Sequence, residues 1–165
     1  MIGNTWGSAE KLVINILSLT KQLHQQLAQE AKILKTAPQA AELDNCTANK
    51  KQLTSRLEQF NQQFSEILAA NGLPNNQNGI NEYFQRAALA GLPTADAVAN
   101  WQEIQFVCAE CKYLNESNGA SIDLLSQHAK RSLDILKGKN RGANVYGRDG
   151  ITKSDPLTHT LTFYL

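Results

Sequence analysis

Apolar residues recur every three or four positions along three long segments, the spacing typical of amphipathic helices. The first stripe predicts a helix over 8–36, with Ser8 as its N-cap. The second stripe predicts a helix over 39–70, and Lys50 is its single polar insert, a lysine that either snorkels or sets the register. The apolar positions are Leu12, Ile16, Leu19, Leu23, Leu27, Ala31 and Leu34, followed by Leu43, Cys46, Leu53, Leu57, Phe60, Phe64 and Ile67.

The third stripe keeps its phase through Asn118-Gly119, a pair that disfavours helix. It is therefore either one long helix or two helices joined by a turn at this pair. We favour the single helix, because a turn would normally reset the phase of the stripe. A shorter helix is expected before it, over 80–89. The stripe consists of Val98, Trp101, Ile104, Cys108, Cys111, Asn115, Asn118, Ile122, Leu125, Ala129, Leu133 and Leu136.

Together these segments predict an all-α fold. We expect an elongated antiparallel bundle of three long coiled-coil-like helices, plus a short helix and an irregular C-terminal tail. Residues 1–137 form the predicted helical bundle domain, and 138–165 form a predicted flexible, partner-binding tail because glycines and Pro156 disfavour helix there. Residues 157–165 alternate apolar and polar side chains, as a strand does, and have no predicted partner strand.

Composition narrows the function classes. The formal net charge is +1 and 19% of residues are charged, so polarity comes largely from 15 Asn and 14 Gln. No nucleic-acid partner is expected, because phosphate neutralisation needs clustered Lys and Arg. No membrane insertion is expected, because no apolar run reaches about 18 residues. The first residues lack signal-peptide features, and three cysteines indicate reduced thiols, so a cytoplasmic location is predicted.

The cysteines are the main candidate for chemistry. Cys108 and Cys111 form a CxxC on a helix, and a zinc site would need two further ligands, of which Cys46 could supply one. Core packing, redox chemistry and metal binding are therefore all considered. Core packing is favoured because the thiols lie on the apolar stripe, where cysteine behaves as a small hydrophobe. No cofactor or metal is expected.

The apolar arcs are wider than three long helices readily cover. Val13, Ile14 and Leu17 widen the arc of the first helix, and Leu114, Leu124 and Ile135 widen that of the third. Surplus apolar arc predicts a groove for another amphipathic helix. The aromatic residues of the second and third long helices are instead expected to lie in the core: Phe60, Phe64, Trp101, Phe106 and Tyr113.

Three elements follow one another between Asn115 and Gly150. They are Asn118-Gly119 inside a long helix, a leucine-rich helix end, and a Tyr-Gly-Arg-Asp-Gly sequence over 146–150. In this order and spacing they resemble the FlgN family of flagellar export chaperones. The resemblance implies a cytoplasmic protein that is not an enzyme. Such a protein would bind the amphipathic terminal helices of the hook–filament junction proteins FlgK and FlgL, prevent their premature association and deliver them to the export apparatus, including FlhA and FliJ.

The resemblance also implies two sets of site residues. Client binding is expected at the helix end, at Ile122, Leu125, Ala129, Leu133 and Leu136. Docking at the export gate is expected at Tyr146, Gly147 and Gly150. The protein is expected to be a monomer or a small homo-oligomer. The alternative is a structural coiled-coil protein that self-associates through the same seams.

Overall fold

The computed structural model describes residues 2–36 and 40–137, and these ranges contain four helices and no strand. The helices are α1 (Ile2–Ile33), α2 (Ala40–Ala70), α3 (Gln77–Leu89) and α4 (Ala95–Leu136). The predicted all-α class with three long helices and one short helix is confirmed. Contacts divide the chain into one unit that ends at Ser126 and another that begins at Gln127. The predicted tail, 138–165, lies outside the described residues.

The first two long helices run antiparallel within the first unit. Near the end of α1, Glu30 accepts a hydrogen bond from Lys50 in the first half of α2 over 2.7 Å. Near the start of α1, Thr5 accepts one from Asn71, which follows the last residue of α2, over 3.2 Å. The antiparallel pairing predicted for these helices is confirmed.

Helix α4 returns along α1 and runs parallel to it. Lys21 of α1 forms an ion pair of 2.7 Å with Glu103, and the carbonyl of Leu27, two turns later, accepts a hydrogen bond from Asn118 over 2.9 Å. The three long helices therefore go up, down and up. In this arrangement consecutive long helices are antiparallel, and the first and last are necessarily parallel.

An aromatic cluster joins all four helices near the start of α1. Tyr83 of α3 is fully buried, and its ring lies 6.1 Å from Trp6 of α1 and 6.3 Å from Phe64 of α2. Phe64 in turn stacks on Trp101 of α4 at 5.8 Å. Because each aromatic side chain buries a large apolar area, this cluster is the principal core of the first unit.

Two Gly-Leu-Pro sequences end α2 and α3 in the same way. Gly72 and Gly91 have φ angles of 67° and 77°, a conformation that glycine adopts without steric cost. The N–H groups of Leu73 and Leu92 then donate back to carbonyls five residues earlier, over 2.9 and 3.1 Å. These bonds define the Schellman motif, which satisfies carbonyls that a helix end leaves unpaired. The chain is thereby turned on both sides of α3.

The start of α1 differs from the prediction. The helix begins at Ile2 rather than at Ser8, and it ends at Ile33 rather than at 36. Trp6 is buried and Ile2 packs against the same core, so burial extends the helix through Gly3 and Gly7, which are poor helix formers. The N-cap role of Ser8 was therefore wrong, because packing outweighed the local capping signal.

The remaining boundaries lie closer to the predictions. The short helix α3 starts three residues earlier than predicted, with Asn76 as its N-cap, whose side chain accepts a 2.9 Å hydrogen bond from the N–H of Gly79. Helix α4 is continuous through Asn118-Gly119, which confirms the favoured single helix. No helix in the described ranges combines the length and the apolar content that crossing a membrane requires.

Candidate protein-docking surface

Helix α4 changes character at Asn118. Its buried residues are Ala97, Ile104, Val107, Cys111 and Asn118. Between Gly119 and Lys137 no residue is buried, and nearly all are exposed. The apolar period nevertheless continues to Leu136, so the last part of α4 keeps the pattern of a packing helix without burying its apolar side chains.

The residues predicted to bind clients lie in this uncovered part. In the first unit, Ile122 and Leu125 are 37% and 39% exposed. In the second unit, Leu133 and Leu136 are 52% and 82% exposed, and Ala129 is also exposed. Each unit therefore presents large apolar side chains on α4 to solvent. The residues predicted to dock at the export gate, Tyr146, Gly147 and Gly150, lie outside the described residues.

A second set of exposed apolar residues on α4 was not predicted as functional. Phe106 and Tyr113 are 65% and 71% exposed, so their predicted core position was wrong. Leu124 and Ile135 follow at spacings of eleven residues and are also exposed. Spacings of seven and eleven return to one side of a helix, so the three of these residues that lie in the first unit, Phe106, Tyr113 and Leu124, form a second apolar stripe on α4. In the sequence, the spacings of seven and eleven residues between these apolar side chains were the signal that could have identified this stripe.

The surplus apolar arc of α1 is smaller than predicted. Val13 is fully buried and Leu17 is 9% exposed, because α1 packs against α2, α3 and α4 and so buries a wide arc. Only Ile14 of the three remains exposed, at 51%. The prediction of surplus arc was therefore wrong for most of α1. On α4, Leu124 and Ile135 are exposed as predicted, whereas Leu114 is half-buried against Leu27, Val107 and Cys111.

A buried polar network lies where the buried stripe of α4 ends. The carboxylate of Glu30 is inaccessible to solvent, and its Oε1 accepts from Lys50 Nζ at 2.7 Å. Its Oε2 accepts from Asn118 Nδ2 at 2.8 Å, and the same Nδ2 donates to the Leu27 carbonyl at 2.9 Å. A buried carboxylate is tolerated when it is paired and hydrogen-bonded in this way. The network joins α1, α2 and α4, and it shows that Lys50 pairs across the bundle.

The thiols of the CxxC motif pack in the bundle. Burial raises the pKa of Cys111 to about 12, with smaller contributions from Cys108 and Glu110, and burial also raises the pKa of Cys108. Cys46 is buried on α2, and burial, followed by the charge of Glu30, raises its pKa as well. Neutral buried thiols are poor nucleophiles and poor metal ligands. Among the described residues, no three His, Cys, Asp or Glu side chains are grouped to hold a metal ion.

Comparison with known protein families identifies the chain. Residues 9–154 match the sequence profile of the FlgN protein family. The match covers most of α1, all of α2, α3 and α4, and the 18 residues after Leu136. Comparisons with curated proteins and with solved structures gave no significant match. Because the family profile spans most of its length, the chain belongs to the FlgN family, which implies the role of a flagellar export chaperone.

Proposed function

We propose that this protein is a cytoplasmic chaperone that binds the amphipathic terminal helices of the hook–filament junction proteins FlgK and FlgL. It covers their apolar faces until export and delivers them to the export apparatus through FlhA and FliJ. The observation that carries the proposal is the uncovered part of α4. Its apolar period continues past Asn118, yet none of its residues is buried.

The chemistry of this surface suits a client helix. Each unit contributes two of these residues three positions apart: Ile122 and Leu125 in the first unit, and Leu133 and Leu136 in the second. An amphipathic helix presents its own apolar residues at the same spacing. Full burial of one such side chain is worth about 1.5–3 kcal/mol, and association itself costs several kcal/mol. An affinity near micromolar, about −8 kcal/mol, would suit a cargo that is later released.

The first test replaces Leu133 and Leu136 together. We expect Leu133→Asp/Leu136→Asp to weaken binding of a peptide from the C-terminal helix of FlgK by about tenfold or more, since charges would enter an apolar interface. Helical circular dichroism should be unchanged, because both leucines are exposed. Isothermal titration calorimetry measures the affinity.

The matched control is Leu89→Asp. Leu89 is 88% exposed at the end of α3, so it tests whether any new surface charge weakens binding. We expect Leu89→Asp to bind the peptide as the unmodified protein does. Unchanged peptide affinity in the Leu133→Asp/Leu136→Asp variant would contradict the assignment of this surface to clients.

The second test concerns export rather than client binding. From the family resemblance, Tyr146 docks at the export gate protein FlhA. Tyr146→Ala should therefore retain the affinity for the FlgK peptide and lower the amount of FlgK secreted into the medium. Tyr113→Ala, which removes an exposed tyrosine from α4, is the matched control. Normal secretion with Tyr146→Ala would remove Tyr146 from the docking role.

The alternative function is that of a structural coiled-coil protein. The second apolar stripe on α4 favours it, because exposed residues such as Phe106 and Tyr113 are also suited to pairing with another copy. Size-exclusion chromatography with light scattering separates the two functions. A monomer or small oligomer that binds the FlgK peptide supports the chaperone, and higher self-assembly supports the structural protein.

A further inference from the structure

Helix α4 carries two apolar stripes, and only one of them faces the bundle. The inner stripe includes Ile104, Val107 and Cys111, which are buried. The outer stripe includes Phe106 and Tyr113, which are more than half exposed. Tyr113 lies two residues after Cys111, about 200° further round the helix, and so lies on nearly the opposite side. Gln102, Glu110 and Glu116 interrupt the outer stripe, so apolar content already favours the inner one, and it is the polar residue within the inner stripe that needs a separate explanation.

The buried polar network distinguishes the two faces. Asn118 lies seven residues after Cys111, on the inner stripe, and it is 3% exposed. Its amide donates to Glu30, whose other oxygen holds Lys50 of α2. If the outer stripe faced α1, Asn118 would turn to solvent and the buried Glu30 carboxylate would lose its amide partner. At this level the outer stripe carries Ser117 and Ala120, and neither has a side-chain amide that could replace that of Asn118.

We propose that Glu30, Lys50 and Asn118 select the face of α4 that packs in the bundle. The selection depends on hydrogen bonding between buried groups. The Glu30–Lys50 ion pair between α1 and α2 leaves a carboxylate oxygen that needs a polar residue on the inner stripe of α4 as its partner. Single buried polar positions specify the register of coiled coils by the same physics, because the wrong arrangement leaves a buried polar group unpaired. The inference concerns the packing of α4 and stands whether or not the uncovered surface binds a client.

The test first makes either the Glu30–Lys50 pair or Asn118 apolar, and then makes all three positions apolar together. Glu30→Leu/Lys50→Met leaves the Asn118 amide with only the Leu27 carbonyl as acceptor, and Asn118→Leu alone leaves Glu30 without its amide partner. Both are mismatched. Adding Asn118→Leu to the first variant makes all three positions apolar, so the match is restored. The control is Thr54→Val, a polar-to-apolar change on α2 at a half-buried residue whose hydroxyl donates to the Lys50 and Lys51 carbonyls of its own helix, at 3.0 Å each.

The readout is the alkylation rate of two thiols, measured by mass spectrometry of their peptides. One is the native Cys111 on the inner stripe, and the other is introduced by Tyr113→Cys on the outer stripe. In each mismatched variant we expect Cys111 to react about tenfold faster and the residue 113 thiol to react several-fold more slowly. In the triple variant and in Thr54→Val, both thiols should react at the rates measured with the unmodified network.

The reciprocal change separates face selection from simple destabilisation. Loosening of the bundle would expose Cys111 but would not protect a thiol at 113, which is already at the surface. Faster reaction of Cys111 with no slowing at 113 would therefore overturn the proposal. A triple variant that reacts faster than both mismatched variants would overturn it too. If Glu30→Leu/Lys50→Met does not fold, the alkylation rates at Cys111 and at residue 113 in the Asn118→Leu variant are sufficient to test the proposal.

Discussion

The two parts of α4 share one apolar period and differ in what covers it. Up to Asn118 the helix lies against α1 and α2 and buries residues such as Ile104 and Cys111. After Asn118 the same spacing continues through Leu125 and Leu133, and no residue is buried. An amphipathic period is therefore sufficient for a helix, but it does not by itself determine whether the partner comes from the same chain.

The largest expected effect is a difference in the free energy of unfolding between alanine variants of two phenylalanines, one buried and one exposed. Phe64 is 4% exposed and contacts both Trp101 and Tyr83, so Phe64→Ala should lower the free energy of unfolding by about 3–5 kcal/mol. Phe106→Ala, on the uncovered outer stripe, should change it by no more than about 0.5 kcal/mol. Urea unfolding followed by circular dichroism measures both. Similar losses in the two variants would show that the outer stripe is covered in solution.

Two glycines extend the comparison to backbone packing. A Cβ atom at Gly79 would lie 1.9 Å from the carbonyl oxygen of Pro74, so Gly79→Ala should lower the free energy of unfolding by about 2 kcal/mol or more. At Gly119, the first residue of the uncovered part, a Cβ would meet nothing within 4 Å. Gly119→Ala should therefore raise the free energy of unfolding by about 0.5–1 kcal/mol through helix propensity. Thermal unfolding should show a lower melting temperature for Gly79→Ala and a higher one for Gly119→Ala. Destabilisation by Gly119→Ala would indicate an unrecognised contact at this position.

A smaller, pH-dependent effect comes from Cys111 in the covered part. Its pKa is raised from 9.0 to about 12, so above pH 9 the unfolded thiol ionises while the folded thiol stays neutral. The stabilising effect of its burial is fully present below pH 9 and decreases as pH rises towards 12, by at most about 1.4 kcal/mol per pH unit. Urea titrations at about pH 8 and about pH 10.5 should show this decrease, and a smaller one in Cys111→Ala. Equal decreases in the two proteins would contradict the burial of this thiol.

Much of the fold was predictable from the spacing of apolar residues. The second helix, the continuity of α4 through Asn118-Gly119 and the position of the short helix follow from local period and from turn residues such as Gly72. The start of α1 did not follow, because burial of Trp6 in a cluster built by four helices outweighs local capping. The exposure of Phe106 and Tyr113 did not follow either, since residue type favours the core and only the neighbouring helices decide otherwise.

The candidate site was predictable in its residues but not in its surroundings. The continuing stripe at Ile122, Leu125, Leu133 and Leu136 is visible in the sequence, and the elements that resemble the FlgN family include this helix end. The partners of Asn118 were not visible. Glu30 lies 88 residues away from Asn118 along the chain, and no local pattern connects the two.

The amino-acid sequence by itself determined that this chain forms three long helices and a short one, because helical period, caps and breakers act over a few neighbouring residues. It also determined family membership, which depends on ordered elements along the chain. Only the tertiary structure decided which apolar residues are covered and where the covered part of α4 ends. Those outcomes depend on helices that are distant in sequence and adjacent in space, where burial and the pairing of one carboxylate with two other helices select among packings that the apolar period alone allows.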